Sequence, residues 1–211
     1  MLRTHPQSAR DDAAQAKLAT LRPTQITMGY AEVLLKRQQW RALDAPGRRE
    51  LLASHPLPAV RGPKLRHYIV DHHHLGRALL EEGVPSVRLA VCADLSALAK
   101  DEFWLVMDHR QWVHPYDQRG RRQSFGAVPK TLGNLVDDPY RSLAAAVRMA
   151  GGFAKEETPF AEFLWADFFR RRVSSSLLRN SPDAALGEAL GCAHRKAAMH
   201  LPGWSGITSD R

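Results

Sequence analysis

Two spacings of apolar residues succeed one another along this chain. Over Ser86 to Ala93, Val87, Leu89 and Val91 alternate with Arg88, Ala90 and Cys92, the period of two that marks a half-buried strand. Two shorter strands are predicted before it, Ala59 to Arg61 and His67 to Asp71, with Gly62-Pro63 turning the chain between them. Helical spacing surrounds these strands. Ala31, Leu34 and Leu35 form a stripe on a predicted helix that Thr27 caps and that runs to about Trp40. Pro46 to Ser54 reads as a second, short helix, and Lys100 to Arg110 as another with Phe103, Trp104 and Met107 on its apolar face. Pro23 holds Arg22 extended within Leu21-Arg22-Pro23-Thr24-Gln25. A turn at Asp117-Gln118-Arg119-Gly120 folds Val113 to Phe125 into a hairpin whose tip carries Arg119, Arg121 and Arg122.

From Pro129 onward the spacing is helical throughout. Asp138 followed by Pro139 is a cap with proline at the first helical position, and Gly151-Gly152 ends that helix. Thr158-Pro159 repeats the start signal. The helix it opens carries Phe160, Phe163, Leu164, Trp165, Phe168 and Phe169, an aromatic stripe that belongs in a core. Ser181-Pro182-Asp183 opens a last amphipathic helix to about Met199. The pattern predicts an α+β fold: a mobile N-terminal arm over 1–20, an α+β core over 21–128, a helical part over 129–200 packed on it, and a tail over 201–211. An exposed face of the aromatic helix, Phe160 to Phe169, offers a surface for a homodimer.

Composition narrows the partners. The chain has 211 residues and a formal net charge of +8, which favours an anionic partner, a nucleotide or nucleic acid. No apolar run is long enough to span a bilayer, so no membrane partner is expected. Cys92 and Cys192 stand far apart with no zinc spacing, as in a reduced, cytoplasmic protein. Met1 to Thr20 lacks the apolar run of a secretory signal.

The densest chemistry sits where Tyr68-Ile69-Val70 runs into Asp71-His72-His73-His74-Leu75-Gly76-Arg77-Ala78. A helix-like segment, Ala78 to Glu82, follows and stops at Gly83. A strand that feeds a helix leaves free backbone N–H groups and a positive dipole end at the junction, a place where phosphate binds. Asp71, His73 and His74 are the candidate acid–base groups. His72, Arg77, Arg141, Lys155 and Arg22 are candidate phosphate ligands, with Arg148 beside them. Adjacent histidines on a strand point to opposite faces, but on a helix's first turn two could converge with Asp71. Asp71 and His73 are therefore candidate ligands for Mg²⁺ or Mn²⁺, with His55, His114 or Asp137 completing the set. Neither GxxxxGK[ST] nor GxGxxG occurs, so the P-loop and dinucleotide-binding readings have no support.

The junction resembles the strand–GxHR–helix motif of the ParB/sulfiredoxin-like superfamily, and Leu21-Arg22-Pro23-Thr24-Gln25 resembles the short strand those proteins place beside it. More specifically, Leu21 to Lys36, Val70 to Gly83, Phe103 to Tyr116, Asp137 to Phe153 and Thr158 to Arg170 resemble the ParB-like nuclease family. That resemblance implies a small mixed sheet wrapped by helices. It also implies a phosphate-ester enzyme acting on nucleotides or nucleic acid. The superfamily also contains nucleotide-dependent kinases of free serine, which implies a second reading: a kinase or NTPase using a nucleoside di- or triphosphate (ADP, ATP or CTP). Against the kinases' Asp-Gly-His-His-Arg, residues Asp71, His73 and His74 match, His72 replaces glycine and Leu75 replaces arginine. Gln25 stands near the kinases' basic glutamate and cannot take a proton. A third reading is a non-catalytic regulator that binds nucleotide or DNA.

Overall fold

The structure, a computed structural model, describes residues 14–207. In chain order it begins with β1 (Ala14–Lys17), β2 (Thr27–Met28), α1 (Tyr30–Ala42), α2 (Ala45–Ser54) and β3 (Leu57–Gly62). Next come β4 (Arg66–Ile69), α3 (His73–Glu81), β5 (Ser86–Asp94) and α4 (Lys100–His109). The chain continues with β6 (Val136–Asp137), α5 (Pro139–Met149), α6 (Ala161–Arg170), α7 (Ser175–Asn180) and α8 (Pro182–Ala193).

Four strands form a mixed sheet in the order β1-β5-β3-β4, and β2 pairs with β6 in a separate parallel pair. β3 lies parallel to β5 and antiparallel to β4, while β1 runs antiparallel to β5. This is the predicted α+β class. Alternation sends residues of each strand to opposite faces. Leu57, Ala59, Ile69 and Leu89 are buried on one face with Val33 of α1 and Ala78 and Leu79 of α3. Val60 and Tyr68 are buried on the other with Phe103, Trp104 and Met107 of α4. A third cluster, mostly from α5, α6 and α8, includes Trp165 stacked on Phe153 with ring centroids 4.3 Å apart.

Several expectations are corrected. Ala14 to Thr20 is no mobile arm: β1 pairs with β5, and Leu18 is buried. The remainder of the expected arm, 1–13, lies outside the described residues, as does the end of the tail, 208–211. Within the tail, Trp204 bridges to Phe153 and its Nε1–H donates to the Ala193 carbonyl. Thr27 does not cap α1 but pairs in β2. The Tyr30 N–H finds its acceptor in Asp137 Oδ1, at 2.8 Å and 107 residues away. Phe160, not Thr158, precedes α6, and the last helix ends at Ala193. Phe163, Trp165, Phe168 and Phe169 are all buried within their own chain, while Leu164 of the same helix is exposed. Asp138, by contrast, caps α5 as expected, accepting the Tyr140 N–H at 3.0 Å.

Candidate functional site

The strand-to-helix junction sets the site. α3 begins at His73, five residues before the predicted Ala78, so the histidines occupy its cap and first turn rather than a strand end. The chain turns at His72, whose φ of 59° and ψ of 28° are left-handed, a conformation natural to glycine. The His72 N–H donates to Asp71 Oδ1 at 2.6 Å, and the first helical bond runs from the Gly76 N–H to the His72 carbonyl. The N–H groups of His73, His74 and Leu75 have no acceptor among the described residues. Gly76 lets the helix settle closely, because a Cβ there would lie 3.1 Å from Leu132 Cδ1.

A cleft of about 530 Å³ opens at this helix end. Asp71, His73 and His74 line it from the junction, Arg141 and Arg148 from α5, Glu162 and Phe163 from α6, and Lys155 from the loop between those helices. Six sequence-predicted residues thus converge: Asp71, His73, His74, Arg141, Arg148 and Lys155. His72, a predicted phosphate ligand, does not line the cleft, and its Nε2 lies 4.0 Å from Asp71 Oδ2. Burial lowers its pKa, against the pull of Asp71.

Two further predicted phosphate ligands, Arg77 and Arg22, also do not line the cleft. Arg77 points to the opposite side of α3, where its Nε donates to Glu81 at 2.5 Å and its Nη1 to the carbonyls of Leu132 and Gly133. Arg22 runs beside β4, its N–H on the His67 carbonyl and its own carbonyl accepting the Ile69 N–H. Its guanidinium lies over Tyr68. Each is committed to holding secondary structure together.

His73 also takes a role the sequence did not indicate. It is 5% exposed, and its Nε2 accepts the Thr24 N–H at 3.2 Å. Burial, then the neighbouring His74, lowers its pKa to about 3. An accepting Nε2 has no lone pair left for a metal or a proton. His73 therefore ties the Leu21–Gln25 segment to α3 and is neither base nor ligand. The other proposed metal ligands are dispersed. Asp137 caps α1, and His114 is packed against Tyr116, Phe160 and Phe163. Among the described residues no three His, Cys, Asp or Glu side chains are grouped to hold a metal ion. The donor set does not fit a resident Mg²⁺ or Mn²⁺.

Arg141 forms the floor of the cleft. Its side chain is 7% exposed; Nη1 donates to Glu32 Oε2 at 2.8 Å and Nη2 pairs with Glu162. Glu162 also receives the Arg148 Nε at 2.6 Å. Two carboxylates thus balance two guanidinium groups, and Arg141 is not the free phosphate clamp expected. Its Nε remains buried without a partner. Lys155 is the cleft cation that makes no ion pair among the described residues. His74 is partly buried beside this network. Burial first, then Arg141 and Lys36, hold its pKa well below the usual histidine value.

Sequence reasoning missed Glu32 and Glu162. Each lies in the first turn of a helix, where an acidic residue is explained by the helix dipole alone. No local spacing marks a carboxylate whose partner is 109 residues away. Gln25 lines the same cleft, buried, with its Nε2–H on the Thr27 carbonyl.

The sequence matches the family described as "Putative ParB-like nuclease" over residues 14–171, a span that contains every residue lining the cleft. The chain belongs to this ParB-like family. Its coarse class is accordingly nuclease-like. A crystal structure of a protein from Agrobacterium tumefaciens is similar to it at 49% sequence identity and a TM-score of 0.86, covering 92% of this chain and 98% of that one. That neighbour agrees with the ParB-like fold seen here. No curated protein matches the chain. Among the described residues no helix is long and apolar enough to cross a membrane.

Proposed function

We propose that this ParB-like chain hydrolyses phosphate esters of nucleotides or nucleic acid in the cleft at the start of α3. The observation that carries the reading is the convergence of Lys155, Asp71 and His74 on one cavity beside a helix start whose first-turn N–H groups have no acceptor among the described residues. Free amides at a helix N-terminus and an unpaired ammonium together suit a phosphate group. His74 serves as the base. Water attacks phosphorus, His74 takes the water's proton, the P–O ester bond breaks, solvent water protonates the leaving alkoxide, and His74 returns its proton to the hydroxide left behind. A histidine held neutral keeps its lone pair available, and a bound phosphate offsets the fields of Arg141 and Lys36 that depress its basicity. Asp71, at the mouth, orients the junction through the His72 N–H.

The kinase reading is less well supported, because Gln25 occupies the cleft where a proton acceptor would be needed. The test is turnover of a chromogenic phosphodiester and of a single-stranded oligonucleotide by wild type, His74→Ala and Lys155→Ala. Loss of general-base help costs about 10²- to 10⁴-fold, so His74→Ala should lose that much in kcat. Lys155→Ala should raise KM. Saturable nucleotide binding with no cleavage of either substrate would replace this reading with the non-catalytic one.

A further inference from the structure

We propose that Glu32 is the positioning residue for His74: its carboxylate holds the imidazole with the proton on Nε2, so that the Nδ1 lone pair faces the cleft. This rests on the role given to His74 above. Four observations converge. His74 Nε2 lies 3.3 Å from Glu32 Oε2. That nitrogen is buried and makes no hydrogen bond among the described residues, so Glu32 is the acceptor within reach that it could engage. Nδ1 is not among the buried unpartnered atoms and makes no hydrogen bond among the described residues, on a side chain that lines the cavity. The same Oε2 is anchored by Arg141 Nη1 at 2.8 Å, so the carboxylate is not free to swing away.

An ionised carboxylate only accepts hydrogen bonds, so a neutral imidazole facing it must present N–H. The present contact is close in distance but misaligned in angle. Catalytic hydrogen bonds are often loose without substrate and tighten in the complex. Glu32 therefore links α1, α3 and α5 at one atom. It sets which nitrogen of His74 can act, as outer partners of functional histidines generally do.

The experiment is long-range ¹H–¹⁵N NMR of the full-length, uniformly labelled protein, with His74 assigned by comparison with His74→Gln. The expected wild-type result is a single tautomer, protonated on Nε2 and bare on Nδ1. Glu32→Met, which removes the acceptor, should give mixed tautomers and a kcat about 10- to 100-fold lower with KM little changed. Glu32→Gln keeps an acceptor oxygen and should retain the wild-type tautomer and most of the rate. A wild-type proton on Nδ1 overturns the proposal without any variant, so the test survives if Glu32→Met does not fold. An unchanged tautomer in folded Glu32→Met also overturns it. Absence of turnover in every form, with the tautomer result as expected, would count against phosphate-ester hydrolysis and leave the positioning role standing.

Discussion

The two ends of α3 are equally rich in polar side chains and opposite in how they are satisfied. At the C-terminal end, Glu81 receives Tyr30 Oη at 2.8 and 2.7 Å, Arg37 at 2.8 Å and Arg77 at 2.5 Å. Glu82 receives Arg37 at 2.7 Å and Arg41 at 2.9 Å. Those hydrogen bonds from Arg41 and Arg37 lower the Glu82 pKa to about 2. At the N-terminal end, three amides, His74 Nε2 and the neighbouring Arg141 Nε lack hydrogen-bond partners among the described residues. Buried polar groups in native proteins are nearly always paired. The saturated end therefore reads as structure. The unsaturated end, opening into a cavity, reads as a place prepared for something else.

The contrast can be broken at His73, the histidine of the junction whose Nε2 accepts a backbone N–H. His73→Ala opens a cavity and strands the Thr24 N–H, a loss of about 2–4 kcal/mol measurable by urea unfolding. Activity per folded molecule should change far less than in His74→Ala. An equal loss of kcat in folded His73→Ala would return His73 to the chemistry.

Acid offers a second way. His73 and His114 have folded-state pKa values lowered to about 3, both by burial first, and His74 is lowered too. The unfolded chain binds these protons near pH 6.5 and the folded chain does not. The stabilisation is thus complete above that pH and is lost as pH falls toward 3. Each such histidine contributes a slope of up to about 1.4 kcal/mol per pH unit in this window. Urea midpoints measured from pH 7 to pH 4 should fall steadily, and a flat profile would mean the imidazoles are not buried as described.

Smaller effects sharpen the comparison. Arg77→Ala removes donors from Glu81 and from two carbonyls, costing about 1 kcal/mol, and should leave KM for a phosphodiester unchanged. A raised KM would put Arg77 at the site after all. His72→Gly relieves a left-handed residue worth about 1–2 kcal/mol against a glycine entropy of about 0.5–1 kcal/mol. Its expected net gain, about 0.5 kcal/mol, is readable as a small rise in Tm.

Local features were legible without the structure because they depend on neighbours in the chain. The alternation in Ser86–Asp94 showed β5, Asp138-Pro139 showed the start of α5, and the density of aromatics showed that α6 is core. The run from Asp71 to His74 marked a strand-to-helix junction that lines a cleft. Helix starts were harder wherever the cap came from elsewhere, as at Tyr30, which Asp137 caps from a distant strand.

What the sequence by itself determined, then, is the α+β class and the position of the strand-to-helix junction. Both follow from short-range periodicity and strand-to-helix order. Only the tertiary structure decided which side chains share the cleft. It sent Arg77 and Arg22 into the framework, turned His73 into a tie, neutralised Arg141 between Glu32 and Glu162, and brought Lys155 over the start of α3. Those assignments rest on contacts between helices far apart in the chain. A guanidinium bound to a carboxylate 109 residues away has the same local sequence as one left free.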